Sequence, residues 1–160
     1  MQELGRRAVL TLMLGGLTGC AVIPGRNRKR KNKTGGAGGL HTGETPEVRR
    51  LINKYSDVYD VPRSLVHRVV QRESNYNPAA RNGPYYGLMQ ILPQTAATMG
   101  HRGPPKSLLN ADTNLKYGVK YLRGAYIVAD GDPDAAIGWY SRGYYYEAKR
   151  LGLLEETGLR

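Results

Sequence analysis

A glutamate stands where an apolar side chain is due. Glu73 follows Val70 and Val69 by three and four residues, and Val66 and Leu65 by seven and eight. If the segment between Pro62 and Asn77 is helical, those spacings set its carboxylate on the apolar stripe. A carboxylate there must be paired, hydrogen-bonded or put to use, because burying a bare charge is costly. Glu73 also falls near the C-terminal end of that segment, where the helix macrodipole opposes negative charge. Desolvation and dipole both raise a carboxyl pKa, which suits a general acid near neutral pH. Protonating the leaving oxygen of a glycosidic bond is chemistry of that kind. Periodicity alone leaves a second reading standing, and favours it: the helix ends earlier and Glu73 pairs with Arg72 or Arg68 on a solvated face.

Other residues of chemical type do not group. Asp130-Gly131-Asp132-Pro133-Asp134 begins like a calcium loop, but Ala135 stands where the sixth-position glycine is needed and Ser141 where the bidentate glutamate is needed. It reads as a turn and helix cap. His41, His67 and His101 lack ligand spacing, and neither a phosphate-binding glycine loop nor a nucleophile elbow occurs. No metal and no cofactor is expected.

The elements that must position Glu73 are helices. Thr45-Pro46 offers a cap and a first-turn proline, followed by Val48, Leu51, Ile52 and Tyr55 at helical spacing. Asp60-Val61-Pro62 starts the Glu73 helix, and Asn77-Pro78 breaks the chain after it. A short helix begins at Pro93 and is stopped by Gly100. The longest begins at Asp112 or Asn114, with Leu115, Val119, Leu122, Tyr126 and Ile127 inward. Asp132-Pro133 opens the last clear one, with Ala136, Ile137 and Tyr140 inward. Only residues 85–91 read as extended, so the expected class is all-α with minimal strand.

The first forty residues are of another kind. Arg6 and Arg7 precede an apolar run, residues 8–17, too short to span a bilayer but suited to a secretory signal. Leu17-Thr18-Gly19-Cys20 resembles a bacterial lipobox, which implies cleavage of residues 1–19 and a diacylated Cys20 anchored in a membrane. The alternative is ordinary signal cleavage that leaves a free thiol. The paired arginines match a twin-arginine signal loosely, so the export route stays open. Residues 26–33 carry six cations and no anion, whereas residues 41–160 account for only +4 of the formal +11. Behind an export signal this block is not expected to meet nucleic acid; anionic lipid or acidic wall polymer, or no specific partner at all, fits it. Thr34-Gly35-Gly36-Ala37-Gly38-Gly39 has the composition of a hinge. Residues 20–43 are therefore expected to form a tether and residues 44–160 the folded, monomeric domain.

Motifs around the glutamate decide between its two readings. Glu73-Ser74-Asn75-Tyr76-Asn77-Pro78-Ala79-Ala80, then Gly87-Leu88-Met89-Gln90-Ile91-Leu92-Pro93-Gln94-Thr95-Ala96, resembles the soluble lytic transglycosylase family, which is goose-type-lysozyme-like. The likeness runs on through residues 112–122 to Tyr140. The resemblance implies a lysozyme-like domain with a substrate groove, acting on the glycan strands of peptidoglycan in the periplasm. Ala21 after the cysteine leans toward the outer membrane. The resemblance makes Glu73 both acid and base, with Ser74 in support. Tyr86, Gly87, Leu88, Met89 and Gln90 would line the groove, Met89 and Gln90 contacting an N-acetyl sugar, and Ser74, Tyr140 and Ser141 would also serve substrate binding. It also implies a non-hydrolytic cut that closes a 1,6-anhydro ring. A hydrolysing lysozyme of the same fold and a wall-binding lipoprotein with vestigial catalysis are the rival readings. Trp139-Tyr140-Ser141-Arg142-Gly143 departs from the family's usual Ala-Tyr-Asn-x-Gly, placing the shorter Ser141 at the asparagine position. Tyr144-Tyr145-Tyr146 would either stack on sugar faces or pack in the core.

Overall fold

Thr45 opens the first helix as its type requires. Its Oγ1 accepts from the Val48 amide at 3.2 Å, and Pro46 begins α1 (Pro46–Tyr59). Asp60 closes α1 in a left-handed conformation, so the Glu73 helix, α2 (Arg63–Ser74), starts only after Pro62. The computed structural model describes residues 39–160. The expected signal segment, Cys20, the basic block at 26–33 and most of the glycine run lie outside the described residues.

Two short strands follow α2, β1 (Arg81–Asn82) and β2 (Tyr85–Tyr86), antiparallel with Arg81 opposite Tyr86 and Asn82 opposite Tyr85. Then come α3 (Pro93–Thr98), a 3₁₀ turn at Pro105–Leu109, α4 (Ala111–Val128), α5 (Pro133–Arg142) and α6 (Tyr145–Leu151). Asn110 caps α4 by accepting from Thr113, and Asp132 caps α5 by accepting from Ala135. The 3₁₀ turn and α6 were not expected. Both are too short to show a helical stripe, with Leu108 and Ala148 as their respective buried residues.

The longest helix, α4, is the axis of the domain, flanked by α1 and α5. Leu115, Val119, Leu122 and Ala125 on its inner face are fully buried. Each leucine or valine withdrawn from water in this way contributes roughly 1.5–3 kcal/mol. The inward stripe continues through Ala125 and Val128; Tyr126 and Ile127, expected inside, are half-buried. Gly118 and Gly124 let other side chains close on α4. A Cβ on Gly118 would meet the Met89 sulfur at 2.6 Å, and one on Gly124 the Tyr144 hydroxyl. Among the described residues no helix is long and apolar enough to cross a membrane.

Residues just before the expected domain start at residue 44 touch the domain. Arg49 reaches the Gly39 carbonyl at 3.3 Å, and the Glu44 amide donates to the His41 carbonyl at 2.9 Å. Residues 39–43, expected in the tether, are exposed but held to the domain through Arg49 and the buried Glu44 carboxylate.

Candidate active site

Glu73 is the penultimate residue of α2, and its side chain retains 23% of its exposure. Burial raises its carboxyl pKa, and the charge of Arg72 offsets part of that rise. Among the described residues, the Arg72 guanidinium is the one charged group near the carboxylate, 3.7 Å away and too far for a hydrogen bond. The helix end is held in place by Ser74, whose hydroxyl donates to the Leu88 carbonyl at 2.8 Å across to the loop after β2. Ser74 thus positions the helix, and its one proton is spent on the protein.

Glu73 looks into an open cleft of about 310 Å³ lined by Arg72, Asn82, Tyr85, Gln90, Tyr140 and Ser141. A second hollow shares Tyr85, Gln90, Tyr140 and Ser141 and runs on past Ile91, Thr95 and Tyr121 to Arg142 and Gly143. The groove then meets a shelf of Trp139, Tyr145 and Tyr146, where the Arg142 guanidinium stacks on the Trp139 ring at 3.8 Å. Of the three consecutive tyrosines, Tyr145 and Tyr146 are exposed, whereas Tyr144 is core and donates to the Tyr121 carbonyl at 2.8 Å.

The expected groove residues divide. Gln90, Tyr140 and Ser141 line the cleft with Glu73. Leu88 and Met89 do not: both are fully buried, and Met89 packs against Gly118, so neither side chain can touch a sugar. Gly87 is required for a different reason from close ligand approach. Its φ is +70°, and a Cβ there would collide with the Leu108 carbonyl and the Asn114 amide. Gln90 keeps less hydrogen-bonding capacity than its type suggests. Its amide nitrogen donates to the Gly87 carbonyl at 2.9 Å and the Ala80 carbonyl at 3.2 Å, which leaves Oε1 as its acceptor for a ligand. Tyr86 is half-buried with Arg81 over its ring at 4.2 Å, and its neighbour Tyr85 faces the cleft instead.

Sequence reasoning missed four residues. Asn114, fully buried on α4, donates to the Tyr86 and Leu108 carbonyls and accepts from the Met89 amide. It fixes the loop that carries Gln90. An asparagine beside Leu115 on an apolar stripe was the available signal. Arg72 binds Ser141 Oγ at 3.1 Å and so spans the cleft wall between α2 and α5. Tyr85 and Asn82 face each other across the hairpin, where alternation along β2 separates Tyr85 from Tyr86.

His41 and His67, scattered in sequence, meet beside Glu44, with candidate ligand atoms within 4.8 Å of one another. The Glu44 carboxylate is already engaged there by Arg49, Nε on one oxygen at 2.6 Å and Nη2 on the other at 2.5 Å. Both oxygens of the Glu44 carboxylate are thus taken by the guanidinium, with two imidazoles beside the pair. Burial brings the His67 pKa down to about 4, keeping the ring neutral. Its Nδ1 lies 3.0 Å from the Tyr76 hydroxyl.

The domain that carries this cleft has counterparts among known proteins. The family model described as "Transglycosylase SLT domain" matches residues 50–152, more than half of the chain. The chain belongs to that family. The SLT domain shares 38% identity over 80 residues with membrane-bound lytic murein transglycosylase C of Histophilus somni, covering 45% of this chain and 22% of the relative. It shares 30% over 83 residues with soluble lytic murein transglycosylase of Escherichia coli, covering 48% and 13%. The crystal structure of the 70 kDa soluble lytic transglycosylase of Escherichia coli superposes with a TM-score of 0.57 at 25% identity, over 68% of this chain and 19% of that one. The SLT domain therefore has the lysozyme-like fold expected for it, and spans about a fifth or less of the length of these relatives.

Proposed function

We propose that this SLT domain is a peptidoglycan lytic transglycosylase in which Glu73 is the one catalytic carboxylate. The observation that carries the reading is Glu73 itself: partly buried, with its pKa raised, and the sole acidic residue among the described lining of the cleft. A second carboxylate is dispensable if the substrate supplies its own nucleophile, an exception to the paired-carboxylate scheme. Protonated Glu73 gives its proton to the oxygen linking N-acetylmuramic acid to N-acetylglucosamine, and the C1–O bond breaks. The acetamido oxygen of the muramoyl residue shields the positive C1. Glu73, now a carboxylate, takes the proton of the C6 hydroxyl as O6 bonds to C1. The acetamido group is released, a 1,6-anhydro end forms, and Glu73 is again protonated without water being consumed.

Gln90 Oε1 and the Tyr85 ring are placed to hold an acetamido N–H and a sugar face, and Arg72 to meet a lactyl or peptide carboxylate. Digestion of sacculi followed by mass spectrometry tests the reaction: anhydro ends support it, and reducing ends identify a hydrolase of the same fold. Glu73→Gln should abolish release of fragments. If the unaltered protein binds sacculi and releases nothing, the chain is a wall-binding protein and the enzyme reading is wrong.

The same proposal places the protein in the periplasm as a monomeric lipoprotein acylated on Cys20 in the outer membrane, with residues 26–33 against anionic lipid or wall polymer. The likeness to relatives named membrane-bound supports an anchored form. Fatty-acid labelling checks it: Cys20→Ala should lose both the label and the membrane fraction.

A further inference from the structure

The catalytic helix ends in an unusual way. After Glu73 and Ser74, two consecutive non-glycine residues, Asn75 and Tyr76, are left-handed, with φ of 49° and 64°. Asparagine takes that conformation readily at a helix end, whereas a tyrosine there is strained unless its surroundings hold it. What lies against this step is the segment just before α1. Gly43, itself at φ +83°, lies so close that a Cβ would sit 2.7 Å from the Asn75 carbonyl oxygen. The His41 ring stacks on the Tyr76 ring at 5.6 Å and 9°.

The segment is fixed by one carboxylate. Glu44 has a fully buried side chain, accepts from Arg49 Nε and Nη2, and accepts the His41 amide at 2.9 Å. The charged and titratable groups facing it are Arg49 from α1, His67 from α2, His41 from its own turn and Tyr76 beyond α2. Facing Glu73 at the other side of the same helix end are Arg72 and Tyr140. None of the residues 39–44 lines the cleft.

We infer that residues 39–44 are a strap that positions the catalytic acid, with Glu44 holding His41 and Gly43 against the Asn75–Tyr76 step and so fixing how Glu73 enters the cleft. Glu44 is a positioning residue; it touches no substrate. The inference rests on the reading of Glu73 as the acid, and it makes the junction between tether and domain part of the active-site scaffold.

The test uses the full chain in detergent micelles, with Gly43→Ala and the milder His41→Ala. The Glu73 carboxyl is titrated by NMR on protein carrying ¹³C-labelled glutamate, its signal assigned by loss in Glu73→Gln. A loosened helix end admits water, so the Glu73 pKa should fall toward the ordinary carboxylate range in both variants, further in Gly43→Ala. On soluble glycan strands kcat should fall about 10-fold with KM held, since misplacing a reacting group costs rate before affinity. Folding of each variant is checked by hydrogen exchange of α4 amides. If the Glu44 amide loses protection while the Glu73 titration and kcat stay at wild-type values, the inference is overturned. It is equally overturned if both variants keep the strap closed and yet lose activity. The titration needs no substrate, so it decides the strap even if the unaltered protein makes no anhydro ends.

Discussion

The Tyr140 hydroxyl donates to the Met89 carbonyl at 2.7 Å, tying α5 to the loop that carries Gln90. The bond lies at the floor of the cleft, where Tyr140 is 9% exposed and Met89 is fully buried. The two cleft walls, α5 on one side and the 87–91 loop on the other, are therefore set relative to each other by one phenol. The Tyr121 ring, edge-on to Tyr140 at 5.4 Å, holds that phenol in place.

Tyr140→Phe should keep the packing and lose the bond, leaving a buried carbonyl unsatisfied. The expected cost is about 1–2 kcal/mol. That lowers Tm by roughly 3–8 °C in a domain of this size. Thermal denaturation followed by circular dichroism checks it. Activity should fall further than stability alone explains at assay temperature, because the cleft width is no longer fixed.

Glu73 should be a liability to the fold. Its pKa is raised above the ordinary 4.5 by burial, against the pull of Arg72. A carboxyl whose folded pKa exceeds its unfolded one has its full stability below the unfolded value and loses it as pH rises through the folded value. Glu73→Gln should therefore match the wild type in acid and become the more stable protein as pH climbs past that window. Urea unfolding at a series of pH values measures the gap. A gap that is absent at neutral pH would mean that the Glu73 carboxylate is well solvated.

Gly87 and Asn114 can be separated from ligand binding. Gly87→Ala forces a Cβ into the Leu108 carbonyl, and Asn114→Ala strips partners from the Tyr86 and Leu108 carbonyls and the Met89 amide. Each should destabilise by about 3 kcal/mol, the scale of losing a buried polar network or straining a backbone step. If Gly87→Ala instead keeps its Tm and raises KM, the glycine serves ligand approach after all.

Helices were legible because their punctuation is chemical: Thr45-Pro46, Pro93 and Asp132-Pro133 each mark a start that the structure has. Glu73 was legible as an anomaly, since a charge on an apolar stripe breaks a period. That Leu88 and Met89 are buried and Gly87 is hemmed in by backbone was not legible, because a motif records which residues are needed and not which way they face. The contacts that fix them come from Asn114 and Gly118, some 25 to 30 residues further along the chain. The strap at 39–44 was hidden for the opposite reason. A glycine-rich run beside a histidine looks like linker, and only the packing of Glu44 against Arg49 shows otherwise.

Ser141 stands where the family resemblance implies an asparagine, and its geometry sets the last expectation. Its hydroxyl donates to the Ile137 carbonyl at 3.0 Å and accepts from Arg72 at 3.1 Å, so it is turned to the wall of the cleft rather than to its space. An asparagine is longer and carries a donor and an acceptor that a sugar acetamide can use. Ser141→Asn should add one hydrogen bond to substrate, about 1 kcal/mol, which lowers KM for glycan strands about 5-fold with kcat little changed. Ser141→Ala, which frees Arg72 without adding reach, should leave KM within about 2-fold of the wild type, the range of a near-neutral surface change. Initial rates of anhydro-end release at varied strand concentration distinguish the two. A rise in KM on Ser141→Ala comparable to the fall predicted for Ser141→Asn would show that the Arg72–Ser141 contact itself shapes the binding site.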